Sequence, residues 1–205
     1  MAEEQEFFTV ASSARCKVQV GACRFFGSVS EIHSEEDAER FLGLVRAEHP
    51  DIKNHAWAFR LGSGSKGLAR VFDGGEPSQS AGPPILRAID HLQLTNTMII
   101  VTRYFGEKQG VGGLIRAFHR TAATVLEEAG RRQELIYITV QALCSYEQLN
   151  LLLHELDKAG ARNLLQNYQQ AVEITAEIRP HVFDDLLRRI SDGTKGSILL
   201  KRIEE

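Results

Sequence analysis

The chain has 205 residues, of which 43% are apolar and 25% charged, an ordinary globular composition that allows one large domain or two small ones. The longest wholly apolar run, around Met98 to Val101, is far shorter than the roughly 20 residues that span a bilayer, so we expect no membrane partner. Three cysteines without disulfide-frame or zinc-ligand spacing, and an acidic N-terminus without a signal-like apolar block, favour the cytoplasm.

Charge is distributed unevenly along the chain, although the net charge is only −3. Residues 51–132 carry 11 basic and 7 acidic side chains, an excess of +4, whereas both flanks are negative. A local positive field attracts an anionic partner even on an acidic protein, so this distribution favours an anion-binding surface in the middle of the chain. A chance excess of basic residues on a solvated surface is the alternative.

Hydrophobic periodicity and turn residues divide the first part of the chain into short strands and helices. The predicted elements are, in chain order, a hairpin of residues 17–20 and 23–29, a helix capped by Ser34 and ended by Pro50, a strand at 55–60, a turn at 61–67, a strand at 68–72, a helix at 85–92, a strand at 96–105 buried on both faces, and a helix at 114–129. The sequence GRR at 130–132 closes this helix, which predicts domains of residues 1–131 and 132–205.

The pattern then restarts as a second compact unit. It predicts a strand at 135–143, a leucine-rich helix ended by Gly160, an antiparallel pair at 162–167 and 171–178, a helix at 182–190 and a strand at 197–203. The order βαββαβ is the ferredoxin-like arrangement, which says little about function by itself. The predicted fold class is therefore α+β.

The most informative segment is residues 102–120, TRYFGEKQGVGGLIRAFHR, in which a strand, a glycine loop and a basic helix follow one another. Its glycines allow positive φ and close approach of a ligand, and the N–H groups that open the helix are electropositive, so phosphate is the expected guest. A tight turn whose glycines serve only packing is the alternative. The anion-binding candidates are Arg103, Lys108, Gly110, Gly112, Gly113, Arg116 and Arg120.

A second glycine-bearing loop, DGGEPSQSAGPP at 73–84, also leads into a helix and could face the same cleft. Ser78 and Ser80 are candidate helix caps. Asp73 and Glu76 could hold magnesium, but two acids in a turn are more often solvated or capping, so we assign no metal and no other cofactor. No nucleophile-elbow or papain-like signature is present, and we assign no catalytic residue.

Alternation in the strand at 55–60 places His55, Trp57 and Phe59 on one face. Histidine and aromatic rings can stack on unpaired bases, so these residues are a candidate RNA-stacking surface. The alternative is that Trp57 and Phe59 belong to the core, with His55 at the edge of the strand.

Three stretches together resemble the IMPACT family, in its two-domain bacterial YigZ branch. They are NHAWAF at 54–59, DGGEPSQSAGPPIL at 73–86 and VTRYFGEKQGVGGLIRAF at 101–118, and the βαββαβ tail is similar to that branch as well. The resemblance implies an N-terminal α+β domain like those of a small-subunit ribosomal protein and elongation factor G. It also implies a ferredoxin-like C-terminal domain and a role in translation.

The chain departs from the family pattern at three places. Where the pattern has DDGEPSGTAG, this chain has Gly74 for an acid, Gln79 for a glycine and Ser80 for a threonine. The RYFGGxKLGxGGL segment is one residue shorter here, over residues 103–114, and Asn54 replaces a histidine. These changes weaken the case for metal binding or catalysis at the two loops more than they weaken the fold.

Three functions follow as hypotheses. The first is a non-enzymatic RNA- or ribosome-binding protein in translation regulation, with the basic residues of 103–120 on phosphates. The second is an enzyme that acts on a phosphorylated small molecule or nucleotide through the glycine-rich loops. The third is an adaptor that binds a protein partner. The sequence does not fix the oligomeric state.

Overall fold

A computed structural model describes residues 6–62, 67–104 and 110–203. The chain forms two compact units, one over Phe7–Glu134 and the other over the described residues from Leu135 onward, together with Glu6. The division therefore falls a few residues beyond the predicted position, because the chain after Gly130 continues as a strand that pairs with the N-terminal strand of the first unit. No helix in the described ranges is long and apolar enough to cross a membrane.

The first unit is an antiparallel sheet with helices on both faces. Its elements are β1 (Glu6–Val10), β2 (Ala14–Val20), β3 (Cys23–Glu31), α1 (Glu35–Glu48), β4 (His55–Leu61), β5 (Leu68–Phe72), α2 (Gly82–His91), β6 (Thr97–Tyr104), α3 (Val111–Ala129) and β7 (Arg131–Leu135). The main sheet has the order β2-β3-β6-β4-β5, and β1 pairs with β7 apart from it.

Strand β6 lies at the centre of this sheet and is buried on both faces, as its unbroken apolar run predicts. Ile99 and Val101 pack in the core under α2 and α3, while Met98 and Ile100 pack in a separate core under α1. Residues of β6 therefore alternate between two hydrophobic layers.

The chain enters α2 and α3 at the same end of the sheet. The pairs Arg24↔Tyr104, His55↔Thr102 and Trp57↔Phe72 place the ends of β5 and β6 beside the beginnings of β3 and β4. We call this the loop end of the sheet. The entrances to α2 and α3 therefore lie at one end of the sheet, whereas residues 105–109 of the second loop lie outside the described residues.

The second unit has the ferredoxin-like arrangement, and the α+β class is confirmed. It contains β8 (Ile138–Cys144), α4 (Leu149–Lys158), β9 (Arg162–Tyr168), β10 (Val172–Ile178), α5 (Phe183–Thr194) and β11 (Leu200–Ile203), with a 3-10 turn at Pro180–Val182. The sheet order β11-β8-β10-β9 is that of a split βαβ fold. Leu152, Leu156, Leu186 and Ile190 of the two helices pack on one face of the sheet.

Some predicted boundaries differ from the structure. Helix α2 begins at Gly82 and α3 at Val111, each about one turn earlier than the apolar periodicity indicated. The early turns contain proline or glycine, which carry no apolar periodicity but are compatible with a helix N-terminus. The predicted turn between β4 and β5 includes residues 63–66, which lie outside the described residues.

Candidate functional site

The loop that follows β5 is held close to the beginning of β4 by two glycines with positive φ. Gly74 has φ +64°, and a Cβ built there would lie 2.5 Å from the backbone of His55 and Ala56. Gly75 has φ +89°, and its Cβ would lie 2.9 Å from the side-chain amide of Asn54. Only glycine combines this backbone conformation with this close contact without strain.

Asp73 caps helix α2 from outside the helix. One carboxylate oxygen accepts the backbone N–H groups of Ala81 and Gly82 at 3.0 and 2.9 Å, and the other accepts that of Gln79 at 2.8 Å. The predicted caps at Ser78 and Ser80 are wrong. Ser78 is exposed. Ser80 is buried, and its hydroxyl donates to the carbonyl of Pro77. The N-terminus of α2 is therefore already neutralised by an internal anion.

Glu76 and Arg103 form a two-pronged ion pair between the loop and the end of β6. Arg103 Nε and Nη2 donate to the two carboxylate oxygens at 2.7 and 2.9 Å. Only 4% of the Glu76 side chain and 21% of the Arg103 side chain are exposed. A bidentate guanidinium–carboxylate pair of this kind fixes the loop on the sheet. Beside it lies a cleft of about 250 Å³, whose other lining residues are Asp51, Ile52, Lys53 and Asn54.

The two acids proposed as magnesium candidates are thus engaged by the protein itself. Asp73 accepts three backbone N–H groups, and Glu76 binds Arg103 through both oxygens. Within the described ranges, no group of three or more histidine, cysteine, aspartate or glutamate side chains could hold a metal ion. The arrangement suits mechanical support of the loop rather than cation binding.

His55, Trp57 and Phe59 share one face of β4, as alternation predicts, and this face is the one that α1 covers. Phe59 is buried, and its ring stacks on that of Trp57 with centroids 5.7 Å apart. The His55 ring is buried between the Thr102 hydroxyl, at 2.7 Å, and the Ile52 carbonyl, at 3.0 Å. Burial lowers the pKa of His55 below 6.5. His55 and Phe59 therefore belong to the core, whereas Trp57 is half-buried and its ring contacts the exposed Phe72 at the edge of the sheet.

The start of α3 contrasts with the α2 loop. Gly110 is the N-cap, its φ is −63°, and no side chain of the described residues caps the helix. Gly112 and Gly113 lie in the first helical turn, and none of the three glycines adopts the positive φ that glycine allows. Apart from the chain neighbours and the backbone of the helix itself, no described atom lies within 4 Å of a Cβ built on Gly110. For a Cβ built on Gly112, the one such atom is Arg116 Nη1, at 3.8 Å. Among the described residues, the space beside Gly110 and Gly112 is therefore unfilled.

Arg116 and Arg120 are exposed, on the side of α3 opposite its buried stripe of Leu114, Ala117 and Phe118. Among the described residues, neither arginine takes part in an ion pair. Lys108 lies outside the described residues, as does Gly106. The structure therefore separates the predicted cations: Arg103 is bound by Glu76, while Arg116 and Arg120 face solvent.

Sequence reasoning missed a second group of side chains at the loop end, on the sheet face that α1 covers. The rings of Phe26, His49 and Tyr104 contact one another there, with Lys17 and Arg24 beside them. Alternation in the first hairpin could have identified this group. Lys17 and Arg24 alternate with buried residues of the core and must therefore point to the opposite face of the sheet.

Comparison with known proteins gives consistent matches over most of the chain. The Impact N-terminal domain matches residues 22–126. An IMPACT family member of Haemophilus influenzae is 25% identical over 97% of this chain and 98% of its own length. The IMPACT family member YigZ of Escherichia coli is 28% identical over 91% of this chain and 93% of its own. A crystal structure of a hypothetical protein has the same fold, with a TM-score of 0.75 at 24% identity, and covers 98% of this chain and 99% of its own. The domain match spans more than half of the sequence and contains both glycine-bearing loops, so the chain belongs to the IMPACT family.

Proposed function

We infer that this protein is a non-enzymatic RNA- or ribosome-binding protein with a role in translation regulation, and that the start of α3 supplies its phosphate contacts. The observation that carries the inference is the start of α3, which no described side chain caps, with two exposed arginines, Arg116 and Arg120, on the same helix. Exposed N–H groups at a helix start, together with guanidinium groups, form a site suited to phosphate oxygens.

The charge pattern of α3 supports binding of an anion over a purely structural role. A helix start is stabilised by acidic side chains, and α1 has three of them in its first turn, Glu35, Glu36 and Asp37, behind the capping Ser34. Helix α3 has none in its first turn and carries arginines soon after it. The open start is therefore left for an anion from outside the protein.

The α2 loop has a supporting role in this proposal. Asp73 fills the N-terminus of α2, and Glu76 holds Arg103, so this loop is satisfied without a ligand. Its internal bonds hold the loop end of the sheet, from which α3 begins. We accordingly leave Arg103, Asp73, Glu76, Ser78 and Ser80 out of the proposed RNA contacts.

The test is a titration of a single-stranded RNA of about 20 nucleotides by fluorescence anisotropy at several salt concentrations. Each phosphate contact contributes roughly 0.7 to the log–log salt slope for single strands, so the combined variant Arg116→Ala/Arg120→Ala should flatten the slope by about 1.4 and weaken binding roughly tenfold. Arg40→Ala is the matched control, because Arg40 is an exposed helical arginine that pairs with Asp37. Absence of binding at low salt, or an unchanged slope in the double variant, contradicts the inference.

A second candidate function, action on a phosphorylated small molecule, is favoured by the cleft beside Arg103, which Lys53 also lines. Against it, both acids suited to magnesium are already bound within the protein. A ligand of the folded state must raise its melting temperature. A rise with a nucleotide and magnesium, lost in Lys53→Ala, would favour this function over RNA binding.

The adaptor function is favoured by the second unit. Leu143, Leu165 and Leu199 are 58%, 69% and 63% exposed, and the strand registers of β8 and β10 place the first two on the sheet face opposite the helices. Exposed apolar side chains grouped on one face are typical of protein interaction surfaces. A protein partner recovered after nuclease treatment, and lost in Leu143→Ser, would favour the adaptor.

A further inference from the structure

An exposed aromatic and basic surface lies at the loop end of the first sheet, beyond the last turn of α1. Lys17 of β2 is opposite Phe26 of β3, and Arg24 of β3 is opposite Tyr104 of β6. Helix α1 ends at Glu48, and His49 is its C-cap. Phe26, His49 and Tyr104 are each half-buried, so the rings are accessible while their positions are fixed by packing.

The three rings form one connected group. The Phe26 ring centroid lies 4.9 Å from that of Tyr104 and 5.3 Å from that of His49, with the planes tilted by 57° and 52°. The Tyr104 hydroxyl lies 3.1 Å from His49 Nδ1. Tilted contacts at these distances are the favourable geometry for aromatic pairs. They hold Tyr104 rigidly at the end of its strand.

Two cations border this ring group. Lys17 Nζ lies 5.7 Å from the centroid of Phe26, and Arg24 is exposed beside Tyr104. Neither forms an ion pair with a described residue. The acid at the end of α1, Glu48, is bound by Arg15 through both oxygens, at 3.1 and 2.9 Å, so it does not neutralise them. The surface combines accessible rings with cations that no acid of the described residues pairs with.

The opposite edge of the same sheet face provides a comparison, because a ring is exposed there but the neighbouring cation is paired with an acid. Phe72 of β5 is 48% exposed, and its ring contacts Trp57 at 5.7 Å. The neighbouring cation, Arg70, donates to Glu35 at 2.9 Å. An accessible ring is thus present at both edges, but within the described part of the chain the cation beside Phe72 is paired, while those beside Phe26 are not.

We propose that the surface formed by Lys17, Arg24, Phe26, His49 and Tyr104 binds single-stranded RNA, with one unstacked base on the Phe26 and Tyr104 rings and the flanking phosphates on Lys17 and Arg24. This inference rests on the proposed RNA-binding function and adds a base-binding site to it. Rings beside cations recognise single strands because each base offers a face for stacking and each linkage offers a negative charge. A continuous duplex, whose bases are stacked on one another, does not fit.

The experiment compares two RNA oligomers of equal length, an oligouridine and one whose central residues lack bases. Stacking of one base changes affinity about tenfold, so the full chain should bind oligouridine roughly ten times more tightly. Phe26→Leu and Tyr104→Leu should bring that ratio close to one. Phe72→Leu, the matched aromatic control, should preserve it. Arg116→Ala should weaken binding of both oligomers and leave the ratio unchanged.

The outcomes separate this inference from the function on which it rests. Equal affinity of the unaltered protein for the two oligomers overturns the base-binding site and leaves phosphate binding by α3 intact. Failure to bind either oligomer at low salt overturns both. If the leucine variants unfold, photocrosslinking of the unaltered protein to 5-iodouridine RNA decides the matter. Crosslinks at Phe26 or Tyr104 support the site, and crosslinks only elsewhere refute it.

Discussion

Helices α2 and α3 start at the same end of one sheet, each after a glycine-bearing loop, but their N-termini are treated in opposite ways. At the start of α2, the carboxylate of Asp73 accepts hydrogen bonds from three backbone N–H groups, those of Gln79, Ala81 and Gly82. The start of α3 has glycine at the cap and in its first turn, with no acid there. A helix N-terminus that is filled from within serves the fold, while one left open is available to a ligand.

The same contrast holds for the arginines of the two regions. Arg103 is bound to the nearly buried Glu76, whereas Arg116 and Arg120 are exposed on α3. Substitutions in the α2 loop should therefore act on stability, and substitutions at the α3 start should act on binding. A change in the α2 loop that weakened RNA binding without loss of stability, or a change at the α3 start that left binding intact, would contradict this division.

The largest effect is expected for Glu76→Ala. It leaves the guanidinium of Arg103 largely buried without its carboxylate, which costs about 3 kcal/mol of unfolding free energy by comparison with other broken buried pairs. Glu48→Ala is the control, because its pair with Arg15 has similar geometry but is 45% and 40% exposed. That change should cost less than about 1 kcal/mol. Urea unfolding measures both, and equal losses would mean that burial of the Arg103 pair is unimportant.

Asp73→Ala is expected to have the next largest effect. It removes the acceptor for three backbone N–H groups around the start of α2, which should cost about 2 kcal/mol. Asp73→Asn keeps one side-chain oxygen without its charge and should lose about half as much. Thermal or urea unfolding of the two variants gives the comparison. An alanine variant as stable as the parent would show that α2 does not depend on this cap.

Much of the fold could be predicted from the sequence because the periodicities are local. The unbroken run of β6, the alternation of β10 and the capping sequence at Ser34 each identify an element without reference to the rest of the chain. The ferredoxin-like order of the second unit followed from the succession of elements. Helix starts were placed late, since Gly112, Gly113 and the prolines of α2 carry no apolar signal.

The site could be predicted only in part, because its key contacts join distant segments. The motif residues were identified, but the sequence does not show that Glu76 reaches Arg103 or that Asp73 returns to Ala81 and Gly82. Both contacts depend on the path of the loop across the sheet. That path is set by the positive φ of Gly74 and Gly75 and by their close approach to β4. The residue types alone could not show whether the helix start and Arg103 bind a carboxylate of the protein itself or a phosphate from outside.

A smaller gain in stability is expected for Gln79→Gly. Gln79 has φ +63°, the left-handed region that disfavours residues with a Cβ, and the family pattern has glycine at this position. Relief of the strain, less the added chain entropy of glycine, should stabilise the fold by about 0.5 to 1 kcal/mol. Gln79→Ala keeps the Cβ and should give no such gain. RNA binding should stay unchanged in both, because Gln79 belongs to neither of the proposed RNA-binding surfaces.

The smallest change in stability, and the sharpest test of the contrast, is expected for Val111→Glu at the exposed first residue of α3. An acid in the first turn favours the helix dipole, so unfolding should require about 0.5 kcal/mol more than in the matched neutral variant Val111→Gln. The same carboxylate would occupy the position proposed for a phosphate, so RNA affinity at low salt should fall. Urea unfolding and RNA titration of the two variants measure both effects. A gain in stability together with a loss of RNA affinity would mean that α3, unlike α2, gives up stability to keep an anion site open. A stabilised Val111→Glu variant that binds RNA as tightly as Val111→Gln would place the phosphate contacts elsewhere.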